Sequence, residues 1–259
     1  MIPIAVTLVS TSYLYTLMPD LGQFDWFGSM YYESLYCNRD SGEAMAFFEK
    51  VLPCLRLQKG AVILDAPCGS GRHASVLCKK GFNVTGVDIS SGAIQKAKDL
   101  KLPGAEFCVH DIRRVFRSNY FDLVLNLFSS IGYSDEQDDL RIFRAASDSL
   151  KKNGLFLLDF LNTEKVISEL ITFETKEVNG VSYQIHRNFD TGRIRKKITV
   201  CDAGREVKVE ENIIAYTKIE LEDMLTRNGF IVRNTWGDYL LNPFVAGSDR
   251  LIFLAEKGS

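Results

Sequence analysis

The sequence has little that would tie it to a metal, to disulfides or to a polyanion. Its six cysteines (Cys37, Cys54, Cys68, Cys78, Cys108, Cys201) form no C-x-x-C pair, and only three histidines (His73, His110, His186) are present. Structural zinc needs clustered thiolates or imidazoles, so no metal is expected. Scattered cysteines in a chain of 259 residues read as reduced side chains of a cytoplasmic protein. There is no excess of positive charge either: 31 Lys+Arg against 33 Asp+Glu leave a formal net charge of -2. That balance argues against nucleic-acid binding by bulk electrostatics and against a polybasic membrane attachment. Long apolar runs are scarce. The first charged side chain is Asp20, but residues 1–19 hold no Lys or Arg and are interrupted by Ser, Thr, Tyr and Pro. Residues 1–22 are therefore read as an N-terminal arm, with a signal peptide as the alternative, and no other stretch is expected to span a bilayer.

What is present suits a globular protein. Hydrophobic residues make up 46% and charged residues 25%, enough for one large domain or one domain with a sizeable insertion. Helices are expected at 27–36 and at 41–55, the second capped by Ser41 with Ala44, Phe47, Phe48, Val51 and Leu52 on one face. Ala61 to Leu64 is a short apolar run ending at Asp65, as in a buried parallel strand. Strand, turn and helix then alternate on a ~30-residue scale, with strands at 83–87, 106–109, 121–127 and 155–160 and helices at 92–100 and 136–150. The segment 173–216 changes to polar–apolar alternation broken by Asn179-Gly180, Thr191-Gly192 and Ala203-Gly204, which reads as an inserted antiparallel meander of three or four strands. A helix at 219–227 and strands at 230–235 and 250–255 return to the first pattern. The expected fold is α/β: a Rossmann-like, doubly wound, mostly parallel seven-stranded sheet with an inserted β meander. The parts are an arm (1–22), a helical lid (23–58), a core (59–172 and 217–259) and the insert (173–216).

The chemistry concentrates in Val62-Ile63-Leu64-Asp65-Ala66-Pro67-Cys68-Gly69-Ser70-Gly71-Arg72-His73-Ala74. Gly69 and Gly71 let the backbone turn tightly toward a ligand at the start of a helix. Asp88, nineteen positions after Gly69 at the end of the next strand, is placed to accept from ribose hydroxyls. Those features also fit a dinucleotide, so a nicotinamide-dependent oxidoreductase remains an alternative. Asp65 separates the two. A carboxylate just before the glycine loop repels a pyrophosphate and favours an ammonium or sulfonium, since charges ~4 Å apart interact by several kcal/mol at intermediate dielectric. S-adenosylmethionine has both cations, a ribose and no phosphate. Helix capping is the structural alternative for Asp65.

This segment resembles motif I of class I S-adenosylmethionine-dependent methyltransferases, and the likeness runs from about Trp26 to Lys257. Val84-Thr85-Gly86-Val87-Asp88-Ile89-Ser90 resembles the second motif, and His110-Asp111-Ile112-Arg113 the third. In the family the third motif's carboxylate meets the adenine amino group and the next apolar residue packs on the ring. The segment 121–133, with Asn126 and Leu127, resembles the fourth strand and its loop. The segment 31–39 resembles the lid of the glycine N-methyltransferase-like branch. By that likeness Arg39 binds the methionine carboxylate, which a planar guanidinium suits, and tyrosines such as Tyr31 close over the donor. The resemblance implies donor contacts from Tyr31, Arg39, Asp65, Ala66, Cys68, Gly69, Gly71, Asp88, Ile89, Asp111, Ile112, Asn126 and Leu127.

The implied reaction is an in-line displacement onto a nitrogen or oxygen of a small-molecule acceptor, with alignment and water exclusion as the protein's main contribution. Candidate bases are His73, Tyr133 and His186, though an amine that arrives neutral needs none. Ser129 and Ser130 read as helix caps. The insert's Arg193, Arg195, Lys196, Lys197, Arg205 and Lys208 leave open an anionic acceptor or RNA, but the N-P-P-Y-like sequence of nucleic-acid amino methyltransferases is missing at Asn126-Leu127-Phe128. A donor-binding module without turnover is a further alternative. Oligomeric state cannot be read from the sequence.

Overall fold

A computed structural model describes residues 25–37 and 40–258; the expected arm and Arg39 lie outside the described residues. The chain begins with a short helix α1 (Met30–Leu35), whose Ser29 side chain accepts from the Tyr32 N–H, and a longer helix α2 (Ser41–Leu55). The cap of α2 is Asp40 rather than the expected Ser41: its carboxylate accepts from the Gly42 and Glu43 N–H groups, and a charged acceptor answers the helix dipole better than a hydroxyl.

Alternation follows as expected: β1 (Val62–Asp65), α3 (Arg72–Lys79), β2 (Asn83–Asp88), α4 (Ser91–Asp99), β3 (Ala105–Val109), β4 (Phe121–Asn126), α5 (Glu136–Ser149) and β5 (Leu150–Leu161). β5 begins five residues earlier than its apolar run, because Leu150 pairs with Phe121 across a register shift. A short helix α6 (Thr163–Ser168) is an element the periodicity does not show. The insert is a four-stranded meander, β6 (Phe173–Val178), β7 (Val181–Asp190), β8 (Arg193–Asp202) and β9 (Arg205–Ile214). Then α7 (Lys218–Arg227), β10 (Phe230–Trp236) and β11 (Arg250–Lys257) complete the chain.

Seven strands form the central sheet in the order β10-β11-β5-β4-β1-β2-β3, and β6 to β9 form a separate antiparallel sheet. β1 to β5 run parallel, while β11 is antiparallel to both β5 and β10. Each face of the sheet carries its own apolar cluster. One unites Phe48, Val51, Leu77 and Ile94 with Ile63 and Leu125, the other Phe143, Leu221 and Leu225 with Phe156 and Phe253. Strand order reverses between β1 and β4, and a crevice at the carboxyl ends of the strands there is the usual ligand position of such sheets. A third cluster joins Trp26 and Tyr31 to Val181, Tyr183, Ile185, Ile198 and Val200, so the lid packs on the insert.

Candidate functional site

The crevice is a cavity of about 460 Å³, in the range of small-molecule and cofactor sites. Its floor is the turn after β1. Gly69 has φ +53°, and a Cβ there meets nothing within 4 Å, so the backbone lies bare toward the cavity it lines. Gly71 (φ +85°) answers a different constraint: a Cβ would sit 3.2 Å from Ala97, Leu100 and Phe107, so it lets α3 close on α4 and the sheet.

Asp65 ends β1 fully buried, and neither carboxylate oxygen has a hydrogen-bond partner. Burial pushes its pKa up to about 8, against the pull of Arg72. His73 Nδ1 lies 3.9 Å from Asp65 Oδ1. Arg72 Nη2 donates to His73 Nε2 at 3.0 Å, which leaves the ring proton on Nδ1, toward Asp65. Burial, helped by Arg72, lowers the His73 pKa to about 3. His73 is thus neutral with its one lone pair engaged, and cannot act as the base the sequence suggested.

Asp88 ends β2 on the cavity wall; its two oxygens accept from the Gly69 and Ser90 N–H groups, each at 2.9 Å. Burial raises its pKa and these N–H donors oppose the rise. Asp111 and Ile112, after β3, line the cavity too. Burial works against ionised Asp111, yet the hydrogen bonds from Arg113 (Nη2 to Oδ2 2.7 Å) hold its pKa below the usual carboxylate value. Arg113 also reaches Asp138 at 2.6 Å, joining the third motif to α5.

The loop after β4 is the opposite wall. Phe128 and Ser129 both have left-handed backbone, φ +73° and +54°, a costly conformation for a phenylalanine. Their surroundings hold it. Asp159 at the end of β5 accepts from the Phe128 N–H and the Tyr239 hydroxyl, each at 2.9 Å, and from Arg250 Nε at 2.8 Å. Arg250 Nη2 donates to Ser129 Oγ at 3.0 Å. Ser129 and Ser130 are therefore not caps; Asp135 caps α5. Further along, Gly132 N–H and the Tyr216 hydroxyl donate to Asp139 at 2.9 and 2.8 Å, and Arg193 of the insert bonds the carbonyls of Gly132 and Ser134, each at 3.0 Å. Burial, opposed by those donors, sets Asp139 at a pKa of about 6.

The lid forms the roof. The Tyr36 hydroxyl donates to Glu211 of β9 at 3.0 Å and accepts from Lys196 of β8, while Trp26 Nε1 donates to Glu211 at 3.0 Å. Burial, then the Glu211 charge, raises Tyr36 well above the usual phenol value. Burial lowers Lys196, and Glu211 opposes that.

Of the residues expected from sequence, Cys68, Gly69, Asp88, Ile89, Asp111, Ile112, Leu127, His73 and Tyr133 line the cavity. Five do not. Asp65 lies behind the wall. Ala66 and Asn126 turn to each other, Asn126 Nδ2 donating to the Ala66 carbonyl at 2.8 Å. Gly71 serves helix packing. Tyr31 is buried against the insert, its hydroxyl donating to Asp202 at 3.0 Å, because six helical residues point it away from Tyr32 and Tyr36, which do line the cavity. His186 sits on the exposed face of β7 against Phe173 and is no candidate base. Sequence reasoning missed Phe27, Asp159, Tyr239 and Arg250; their long-range partners leave no local signal.

These residues fit S-adenosylmethionine. The Asp65 oxygens, buried without a hydrogen-bond partner, place acceptor capacity just behind the wall, which suits a cationic donor; the bare Gly69 backbone and Asp88 suit a nucleoside. Among the described residues, no group of three or more His, Cys, Asp or Glu could hold a metal, and no helix is long and apolar enough to cross a membrane.

Residues 63–154 match a family described as a methyltransferase domain. A protein of Geobacillus sp. (strain WCH70) named as a methyltransferase is 27% identical over 224 residues, 82% of this chain and 91% of that one. The dTDP-3-amino-3,4,6-trideoxy-alpha-D-glucopyranose N,N-dimethyltransferase of Streptomyces venezuelae is 25% identical over 160 residues, 59% and 67% of the two chains. Among solved structures, an S-adenosylmethionine-dependent methyltransferase from Clostridium acetobutylicum shares the fold with a TM-score of 0.76 at 21% identity, covering 89% of this chain and 97% of its own.

Proposed function

We propose that the chain, whose residues 63–154 match a methyltransferase domain and whose fold is that of an S-adenosylmethionine-dependent methyltransferase, methylates a nitrogen or oxygen of a small molecule held between the glycine loop, the loop after β4 and the lid. The observation that carries this reading is the cavity itself: about 460 Å³, walled by Asp88, Asp111 and Phe128 and roofed by Tyr32 and Tyr36. A roof tied by Tyr36 to the insert leaves a site suited to a compact acceptor rather than to an RNA duplex. The amino group methylated in the Streptomyces relative, by its name an N,N-dimethyltransferase of a dTDP-linked amino sugar, supports nitrogen as the acceptor atom.

Asp88 would hold the ribose and Asp111 and Ile112 the adenine, while Asp65, buried behind the wall, would favour the ammonium by charge rather than by contact; Arg39, outside the described residues, is proposed for the methionine carboxylate. S-adenosylmethionine supplies, when bound, a methyl group on a sulfonium, an electrophile with a good leaving group. The protein's own part is alignment by the strained Phe128–Ser129 turn and exclusion of water by the aromatic lid. No side chain is assigned as base, which is sufficient for an amine.

The anionic-acceptor alternative loses its main support. On the insert, Lys196 faces Glu211 and Lys197 faces Glu210 across the β8–β9 ladder, so these charges are matched within the sheet. The test is methyl transfer from labelled S-adenosylmethionine into a metabolite extract, beside calorimetry with S-adenosylhomocysteine and NAD. The expected result is label in a small, extractable product and binding of the nucleoside but not of NAD. Tight NAD binding in its place would restore the dehydrogenase reading.

A further inference from the structure

Five aromatic rings run in one chain along the cavity. Tyr133 meets Phe27 edge to face at 5.7 Å, Phe27 meets Tyr32 at 5.4 Å, Tyr32 meets Tyr36 at 4.7 Å and Tyr36 meets Phe128 at 6.0 Å. All five line the cavity. They come from two places far apart in sequence, the lid and the loop after β4, so the wall exists only in the folded protein. Core packing accounts for only part of it: Tyr32 also packs on the lid–insert cluster, but Phe27 is 37% exposed and the other four rings are part-buried.

The charge of the lining points the same way. Its acidic members are Glu33, Asp40, Asp88, Asp111, Asp138 and Asp139; its basic ones among the described residues are Arg72 and Arg113. Both guanidiniums are already committed, Arg72 to Glu43 and Arg113 to Asp111 and Asp138, and no lysine is among the described lining residues. Lys196 reaches the Tyr36 ring at 4.6 Å and Arg250 the Phe128 ring at 6.0 Å, but they are matched by Glu211 at 3.5 Å and Asp159 at 2.8 Å. Glu33, Asp111 and Asp138 are likewise paired, with Lys96, Arg113 and Arg141, which leaves Asp40, Asp88 and Asp139 as the negative side chains of the described lining. Such a balance disfavours phosphate and carboxylate ligands and draws in cations. Aromatic faces stabilise a desolvated cation through their quadrupole, and ring cages recognise alkylated ammonium groups on this basis.

We propose that the aromatic wall formed by Tyr133, Phe27, Tyr32, Tyr36 and Phe128 binds the ammonium of a cationic amine, so that the acceptor is an amine carrying no phosphate or other anionic group. This rests on the methyltransferase reading and narrows it to nitrogen. The ammonium form is recognised, and it loses one proton to water before reaction. The nitrogen lone pair then forms the N–C bond while the S–C bonding pair returns to sulfur. The product is a more highly alkylated ammonium, which the same rings hold. The donor's sulfonium is a second cation of similar chemistry, and the experiment has to separate the two.

The full chain saturated with S-adenosylhomocysteine, which lacks the sulfonium, is titrated calorimetrically with choline, with its uncharged carbon isostere 3,3-dimethylbutan-1-ol, and with phosphocholine. Choline is expected to bind about tenfold more tightly than the isostere and more tightly than phosphocholine. Phe27→Leu and Tyr133→Leu should each cut the choline-to-isostere ratio several-fold while S-adenosylhomocysteine affinity stays within about twofold; Tyr133→Phe, which keeps the ring, should keep the ratio. A ratio near one in the loaded protein overturns the inference, as does tighter binding of phosphocholine. So does an effect of the leucine variants confined to S-adenosylmethionine affinity, which would assign the wall to the donor. Failure of S-adenosylhomocysteine to bind at all removes the methyltransferase reading and the inference together.

Discussion

A carboxylic acid buried without a hydrogen-bond partner, as at Asp65, ties stability to pH. Its pKa rises from about 3.9 in an unfolded chain to about 8 in the fold. The folded state therefore holds the extra proton between those values, and each pH unit climbed in that window costs up to about 1.4 kcal/mol. Asp65→Asn removes this dependence. Without ligand, the variant should melt above the wild type near pH 8, and the gap should close toward pH 4, as thermal scans across pH would show. The same variant should bind S-adenosylmethionine more weakly, since the ligand's ammonium is the counter-charge that lets Asp65 ionise. Asp88→Ala should weaken the nucleoside by on the order of 1–3 kcal/mol through lost ribose hydrogen bonds; calorimetry giving unaltered affinity in a folded variant would count against its assignment. Asp159 presents the reverse case. Burial disfavours the Arg250 charge, and Asp159 restores it, keeping the arginine's pKa raised. Asp159→Ala strands that guanidinium and frees the Phe128 turn, and should cost about 3–5 kcal/mol in denaturant unfolding.

At the level of elements, the lid depends on strands that lie far from it in sequence. Tyr36 and Trp26 converge on one Glu211 carboxylate, and the Tyr183 hydroxyl donates to the Tyr31 carbonyl at 3.2 Å. Glu211→Gln keeps the shape but leaves Lys196 without its counter-charge. Hydrogen exchange at residues 30–36 should quicken, and acceptor KM should rise, while exchange in the central sheet stays near that of the wild type. This dependence explains what could be read from the chain. The strand at the glycine loop was legible because a buried parallel strand is a continuous apolar run; those at Asp88 and Asp111 are mixed runs, legible because turns bound them and the motifs sit at their ends. α2 was legible from its apolar face, although its cap belonged to Asp40. α6 was not, since six residues give less than two helical turns. Nor was the direction of Tyr31 against Tyr32 and Tyr36, which is set by contact with an insert some 150 residues away. The half of the site made by the glycine loop is local and was visible; the half made by Phe128, Asp159, Tyr239 and Arg250 depends on tertiary pairing and was not.

For the molecule as a whole, ligand and fold share one free energy. A nucleoside that binds the folded state alone should add about 2.7 kcal/mol of stability at one hundred times its dissociation constant. A thermal shift with S-adenosylhomocysteine, growing with the logarithm of its concentration, is the simplest check, and NAD should give none. The contacts that close the roof span very long stretches of chain: Trp26 to Glu211 is a separation of 185 residues, and Tyr31 to Asp202 one of 171. During synthesis, then, the first helix leaves the ribosome long before the strands it must rest on. A nascent polypeptide that already contains the whole glycine loop still has no ceiling over it, and so cannot shelter a ligand until translation has passed the ninth strand.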